Sequence, residues 1–218
     1  MKKIFLAVVL AFCGFNYASA QHYQTEYDYE YYHQKPYEYD YMDVLLYGKA
    51  GGSGATITKQ GGDIMWGPAG GFGVELYFRT YFSMAFEAFF SHKGGSNIRH
   101  SGYDTNYDYR LDYFTTSYLA KYFVTKNVAV YSGLGFSTLL NAKSETMGQS
   151  SNIKSNLHGS EFVLPVGAEL LLNNHFTVDL RWNWSPRPLA KTDKGKSILG
   201  KSRNQYLALT VGYKFQVF

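Results

Sequence analysis

The chain has 218 residues, with 21 Lys and Arg against 17 Asp and Glu for a formal charge of +4, a single cysteine, 21 Tyr, 16 Phe and 22 Gly. Near balance of charge gives no footprint for nucleic acid, and one cysteine excludes a disulfide framework. A length suited to one domain, rich in aromatics and glycine, points to many short strands.

Lys2 and Lys3 precede an apolar run from Ile4 to Phe15, and Ala18-Ser19-Ala20 places small residues where a signal peptidase reads. Residues 1–20 are therefore expected to be a signal peptide cleaved after Ala20, because the run is too short for a spanning helix. Cys13 follows the bulky Phe12, which disfavours lipoprotein processing. Cleavage leaves 198 residues without cysteine, and loss of Lys2 and Lys3 lowers the formal charge to +2.

Residues 21–42 alternate tyrosine with acid, as in Tyr27-Asp28-Tyr29-Glu30-Tyr31 and Tyr37-Glu38-Tyr39-Asp40-Tyr41. Aliphatic residues to build a core are almost lacking, so a flexible periplasmic leader is expected. His22 and His33 with these carboxylates form a weaker candidate for a sticky or metal-binding segment.

From Asp43 onward the period becomes two. Two strands are expected in 43–52 and 72–79, the second setting Phe72, Val74, Leu76 and Phe78 against Gly73, Glu75, Tyr77 and Arg79. The third sets Phe82, Met84, Phe86, Ala88 and Phe90 against Ser83, Ala85, Glu87 and Phe89. The fourth sets Phe114, Thr116, Tyr118, Ala120 and Tyr122 against Thr115, Ser117, Leu119 and Lys121. The fifth, over 128–140, is glycine-rich and less regular. The sixth sets Leu164, Val166, Ala168 and Leu170 against Pro165, Gly167 and Glu169. The seventh sets Phe176, Val178, Leu180, Trp182 and Trp184 against Thr177, Asp179, Arg181 and Asn183. The eighth sets Leu207, Leu209, Val211, Tyr213, Phe215 and Val217 against Ala208, Thr210, Gly212, Lys214 and Gln216.

Charge falls on the less apolar face at mid-strand: Glu75, Glu87, Lys121, Glu169, Asp179, Arg181 and Lys214. In a sandwich core each unpaired ion would cost several kcal/mol, whereas a narrow lumen takes them as mixed-sign pairs, three cations against four carboxylates. Short links at 79–81, 125–127 and 172–174 alternate with long ones at 53–68, 92–110, 141–160 and 185–204. That sorting is the habit of outer-membrane barrels. The expected fold is all-β, an eight-stranded antiparallel up-and-down transmembrane β-barrel over 43–218 with short periplasmic turns and long extracellular loops.

Several stretches carry a resemblance. They are Phe82-Ser83-Met84-Ala85-Phe86-Glu87-Ala88-Phe89-Phe90-Ser91-His92-Lys93-Gly94-Gly95, Leu111-Asp112-Tyr113-Phe114, Leu119-Ala120-Lys121-Tyr122-Phe123 and Val211-Gly212-Tyr213-Lys214-Phe215. From about Val44 to Phe218 the chain resembles the PorT-like outer-membrane β-barrel family, common in Bacteroidota. Thr115-Thr116-Ser117 departs from the Glu-Ile-Pro usual there, and the tyrosine-rich leader has no counterpart. The resemblance implies a barrel in the outer membrane, with relatives in secretion or gliding machinery, and no catalytic residues to carry over.

None of the six histidines falls at a metal-binding spacing. His92, His100 and His158 map to expected extracellular loops, where a barrel hydrolase would need Ser, His and Asp to converge. Lys194-Gly195-Lys196-Ser197 lacks the upstream glycine of a phosphate loop and reads as a solvated basic loop. With Lys191, Lys201 and Arg203 it could meet the anionic groups of lipopolysaccharide. Tyr103, Tyr107 and Tyr109 suit either a partner contact or a loop stacking on itself.

The expected function is a structural or interaction barrel with a side-chain-filled lumen, without catalytic, cofactor or metal sites. A transport, ligand-binding or secretion-accessory barrel is the alternative, and a barrel enzyme the remotest. Expected partners are outer-membrane lipids and lipopolysaccharide, the barrel-assembly machinery during insertion, and a protein bound through the leader or loops. Tyr213 and Phe215 form the expected insertion signal: Phe218 has the wrong parity for the outward set of the last strand.

Overall fold

A computed structural model describes residues 43–58, 62–79, 81–99, 105–172, 175–193 and 202–217. The expected signal peptide, leader and Phe218 lie outside the described residues, as do His100, Tyr103, Lys194, Lys196 and Lys201.

The strands are β1 (Val44–Ile57), β2 (Met65–Arg79), β3 (Phe82–Arg99), β4 (Asn106–Phe123), β5 (Val128–Thr146), β6 (Gln149–Asn152), β7 (Ser160–Leu171), β8 (Phe176–Trp184) and β9 (Asn204–Gln216). All neighbours pair antiparallel in the order β4-β3-β2-β1-β9-β8-β7-β5, and a β4–β5 pairing closes the ring. Closure through β1 and β9 runs from Leu45↔Gln216 to Ile57↔Asn204. β6 stands outside the ring of eight, as the returning arm of a hairpin on β5. Its turn takes Met147 (φ 46°) and Gly148 (φ 78°) through left-handed backbone, the conformation of a two-residue hairpin loop.

The period of two separates two environments. Odd positions of β1–β4 and even positions of β9 point inward and are largely buried, while Leu46, Phe72, Met84, Tyr118, Phe162 and Leu209 stand exposed on the outside. This outer apolar belt is the surface a hydrocarbon layer covers. Aromatics mark the short-turn end, where Phe78 and Phe82 lie 6.2 Å apart and Tyr81 and Tyr122 lie 5.9 Å apart. The short turns are locally coded: the Thr125 hydroxyl accepts from the N–H groups of Asn127 (3.2 Å) and Val128 (3.0 Å).

The expected long connections are corrected in length. Strand continues to Ile57 in β1, Arg99 in β3 and Thr146 in β5, and β2 and β4 begin at Met65 and Asn106. Beyond the bilayer the outward face of a strand meets water, so its apolar row stops and the alternation weakens, although inward residues such as Ile98 and Leu111 stay buried and the hydrogen-bonded ladder continues. What remains of two long loops folds over the mouth, where Leu157 bridges Ala190 and the His158 N–H donates to the Leu189 carbonyl at 2.9 Å.

Candidate functional site

The interior is layered by register. At the short-turn end Leu45, Tyr77, Phe123, Ala129 and Leu171 pack into an apolar floor. Above it, four charges from four strands alternate in sign. Lys121 Nζ lies 2.9 Å from both Glu75 Oε2 and Glu169 Oε2. Lys214 Nζ lies 2.9 Å from Glu75 Oε2 and 2.5 Å from Glu169 Oε1. The Ser83 hydroxyl donates to Glu75 Oε1 at 2.6 Å.

A second group sits alongside. Arg181 engages Glu87 through both terminal nitrogens, one of them at 3.0 Å, and its Nε–H donates to the Tyr131 hydroxyl at 2.9 Å. Tyr131 donates in turn to Asp179 Oδ2 at 2.7 Å, and Tyr47 to Glu87 Oε2 at 3.0 Å. Lys49 Nζ lies 2.5 Å from Glu87 and 3.6 Å from Asp179. Both tyrosines sit directly across from a glycine, Tyr47 from Gly73 and Tyr131 from Gly167. A Cβ on Gly73 would fall 2.6 Å from the Tyr47 hydroxyl, and one on Gly167 2.5 Å from that of Tyr131. Glycine lets each ring lie flat on the neighbouring strand.

All seven expected lumen charges thus lie buried in two adjacent ion-pair groups. Lys49 is the member the sequence reading missed, and it turns three cations against four carboxylates into four against four. Buried ions lose hydration worth several kcal/mol each, so the set is tolerable only because every member faces opposite charge at close range. Its only advance signal was its parity with Leu45 and Tyr47 in the first strand.

Higher up, Lys93 Nζ bonds Glu161 Oε1 at 3.0 Å and lies over the rings of Tyr113 (4.1 Å) and Tyr206 (4.8 Å). Around it Ser91 Oγ, Asn183 Nδ2, Ser185 Oγ and Tyr206 OH are buried without a protein partner among the described residues; ordered water satisfies such groups in protein interiors. The mouth is closed by Ile57, Ile98, Leu111, Leu139, Leu157 and Leu189, part of one apolar cluster to which strands and loops both contribute.

Tyr213 and Phe215 lie on the outer wall at the short-turn end, ring centroids 4.6 Å apart, with Tyr213 also edge-on to Phe176 at 5.0 Å. Phe215 is 57% exposed. His92 is corrected from loop to strand: it lies in β3, and its Nδ1 is 2.6 Å from Asp112 Oδ1. His158 does lie in a loop, and Tyr107 and Tyr109 stack on each other at 6.4 Å in β4. Among the described residues no group of three or more His, Cys, Asp or Glu is placed to hold a metal ion.

A closed ring of eight antiparallel strands, apolar outside and charged within, with the turns sorted by length, defines a small outer-membrane β-barrel. The profile of the outer membrane protein beta-barrel domain matches residues 45–215, so the chain belongs to that family. Among solved structures it is similar to Ail, the attachment invasion locus protein of Yersinia pestis (15% identity, TM-score 0.48, covering 81% of this chain and 100% of that one). Neisserial surface protein A is similar at 13% identity and TM-score 0.46, covering 79% and 97%. OprG of Pseudomonas aeruginosa is similar at 9% identity and TM-score 0.40, covering 83% and 100%. No curated protein matches the chain.

Proposed function

We propose that this protein is a non-conducting structural or interaction barrel, inserted in the outer membrane to present its loops at the cell surface. The observation that carries the reading is the filled interior: a balanced network of four cations and four carboxylates between an apolar floor and an apolar mouth. An eight-stranded barrel has room for little beyond its own side chains. A non-enzymatic role agrees with this, since each carboxylate of the network already faces a cation. Reconstituted in planar bilayers, the full chain should give no steady ion conductance. Steady conductance would favour the transport alternative.

Residues 1–20 direct export and are removed after Ala20, and the Tyr213 and Phe215 pair on the outer wall is what the assembly machinery reads. The leader, residues 21–42, offers a protein partner its tyrosines. Capture of such a partner by the full chain, lost on deleting residues 22–41, is the expected result. Kinship with the PorT-like barrels is supported by Gly212-Tyr213-Lys214-Phe215 and by Ser91-His92-Lys93-Gly94.

A further inference from the structure

Between the ion-pair groups and the mouth, the inward positions carry small side chains: Ala55, Ala69, Ser91, Ser137 and Ser185 are all buried there. The layer below is filled instead by Tyr47, Tyr131, Glu87 and Arg181. The bore of an eight-stranded barrel is just wide enough for ordinary side chains or for one small ligand. A ring of serines and alanines therefore leaves room that the layer of tyrosine and arginine does not.

Five polar atoms of this layer are buried without a protein partner among the described residues: Ser91 Oγ, Asn183 Nδ2, Ser185 Oγ, Asn204 Oδ1 and Tyr206 OH. They belong to one section of the barrel. Ser91 is the cross-strand neighbour of Tyr113, and Asn183 that of Tyr206. The Asn204 side-chain amide donates to the Tyr113 hydroxyl at 3.2 Å, and the Ser185 N–H donates to the Asn204 carbonyl at 3.2 Å. Lys93 Nζ, over the rings of both Tyr113 and Tyr206, joins the two sides. A buried polar group is costly to leave unbonded, so five in one section mark a place whose occupant bonds to them. The roof is Leu157 and Leu189, which lie outside the strands of the ring. Their segments hold each other through the Leu157 to Ala190 bridge and the Lys191 N–H, which donates to the Asn156 carbonyl at 3.0 Å. The two can part while every ladder of the ring stays intact.

We propose that this space is a lidded chamber, entered from the cell surface, that binds a small uncharged solute bearing hydroxyl or amide groups. A charged solute is disfavoured because the chamber's own ions, Lys93 and Glu161, already satisfy each other at 3.0 Å, and a further ion would lie buried without a counter-ion. Asn183 Nδ2 only donates and Asn204 Oδ1 only accepts, while the three hydroxyls do either. The occupant must therefore offer donors and acceptors on one compact frame. The Tyr113 and Tyr206 rings give that carbon frame an apolar wall, for which water alone has no use. The ion-pair groups and the apolar floor below bar passage, so the chamber binds without conducting. The inference rests on the non-conducting reading and adds a ligand class to it.

The test is thiol accessibility in the full chain, reconstituted in phosphatidylethanolamine nanodiscs, with its single cysteine removed by Cys13→Ser. Ala55→Cys reports on the chamber. Ala85→Cys, packed below with Tyr47 and Tyr131, reports on the sealed half. Uncharged methyl methanethiosulfonate should label Ala55→Cys, and Leu157→Ala should speed this about tenfold by easing local opening of the lid. The sulfonate and trimethylammonium forms of the reagent should react more slowly. Glycerol, as the hydroxyl probe, should slow the labelling saturably, and Asn183→Leu or the milder Ser91→Ala should weaken that protection, each barrel being checked as folded by heat-shifted gel migration. An unreactive Ala55→Cys even with Leu157→Ala would overturn the chamber. Absence of glycerol protection would mean that water alone fills it and would overturn the ligand class, as would equal labelling by the charged reagents. Labelling of Ala85→Cys would instead break the seal beneath, and with it the non-conducting reading.

Discussion

The two halves of the barrel interior solve the burial of charge differently. Near the floor, eight ions drawn from β1, β2, β3, β4, β7, β8 and β9 form two adjacent groups, each of two cations and two carboxylates, in which most members face two opposite charges. Near the mouth, one ion pair, Lys93 with Glu161, sits among aromatic rings and hydroxyls under an apolar cap that loops help to build. The first half is set by strand register alone. The second depends on loops returning to the right place.

This contrast predicts a ranking of effects. Removing one network cation strands carboxylates in the interior, so Arg181→Met should lower unfolding free energy by about 3–5 kcal/mol, read by urea titration in lipid vesicles. A loss below about 1 kcal/mol would mean that water reaches the site and the interior is not sealed. At the mouth, Leu157→Ala should cost about 2–4 kcal/mol, a core truncation, and should increase hydrogen exchange in the upper strand segments while leaving the floor protected. Uniform change along all strands would erase the distinction between the halves.

The outer wall offers a kinetic test. Phe215→Ala should slow folding into the membrane in an assembly assay more than Phe218→Ala does, because Phe215 lies in the outward row of β9 with Tyr213. The reverse order would move the insertion signal to the last residue. Gly73→Ala should displace the Tyr47 ring from its place over β2 and, because the new Cβ would also fall 2.5 Å from the Phe86 carbonyl oxygen, should cost more than the roughly 1 kcal/mol of the lost hydrogen bond to Glu87. A neutral result would show that the flat packing of that ring is incidental.

The same contrast explains what could be read in advance. Seven of the network charges were legible because alternation is strict wherever one face meets lipid and the other the lumen. Lys49 escaped because Gly48, Gly51 and Gly52 blur the pattern of β1. Lys93 and Glu161 escaped because they lie near the ends of expected loops, where water on the outer face ends the apolar row. Leu157, Leu189 and Ala190 belong to segments without any period, so no rule of spacing could have sent them into the mouth. His92 reads as a loop residue for the same reason, and no spacing in the sequence announces its contact with Asp112 on the outer wall.

The central claim is that charge balance, with Lys49 as the eighth member, holds the interior closed, and a double-mutant comparison at Lys49 and Asp179 addresses it most directly. Lys49→Met alone leaves three cations against four carboxylates and should cost about 3–5 kcal/mol. Adding Asp179→Asn restores three against three while keeping an acceptor for Tyr131, so the double variant should be more stable than the single one. A double variant less stable than Lys49→Met, with the two losses simply adding, would contradict the account.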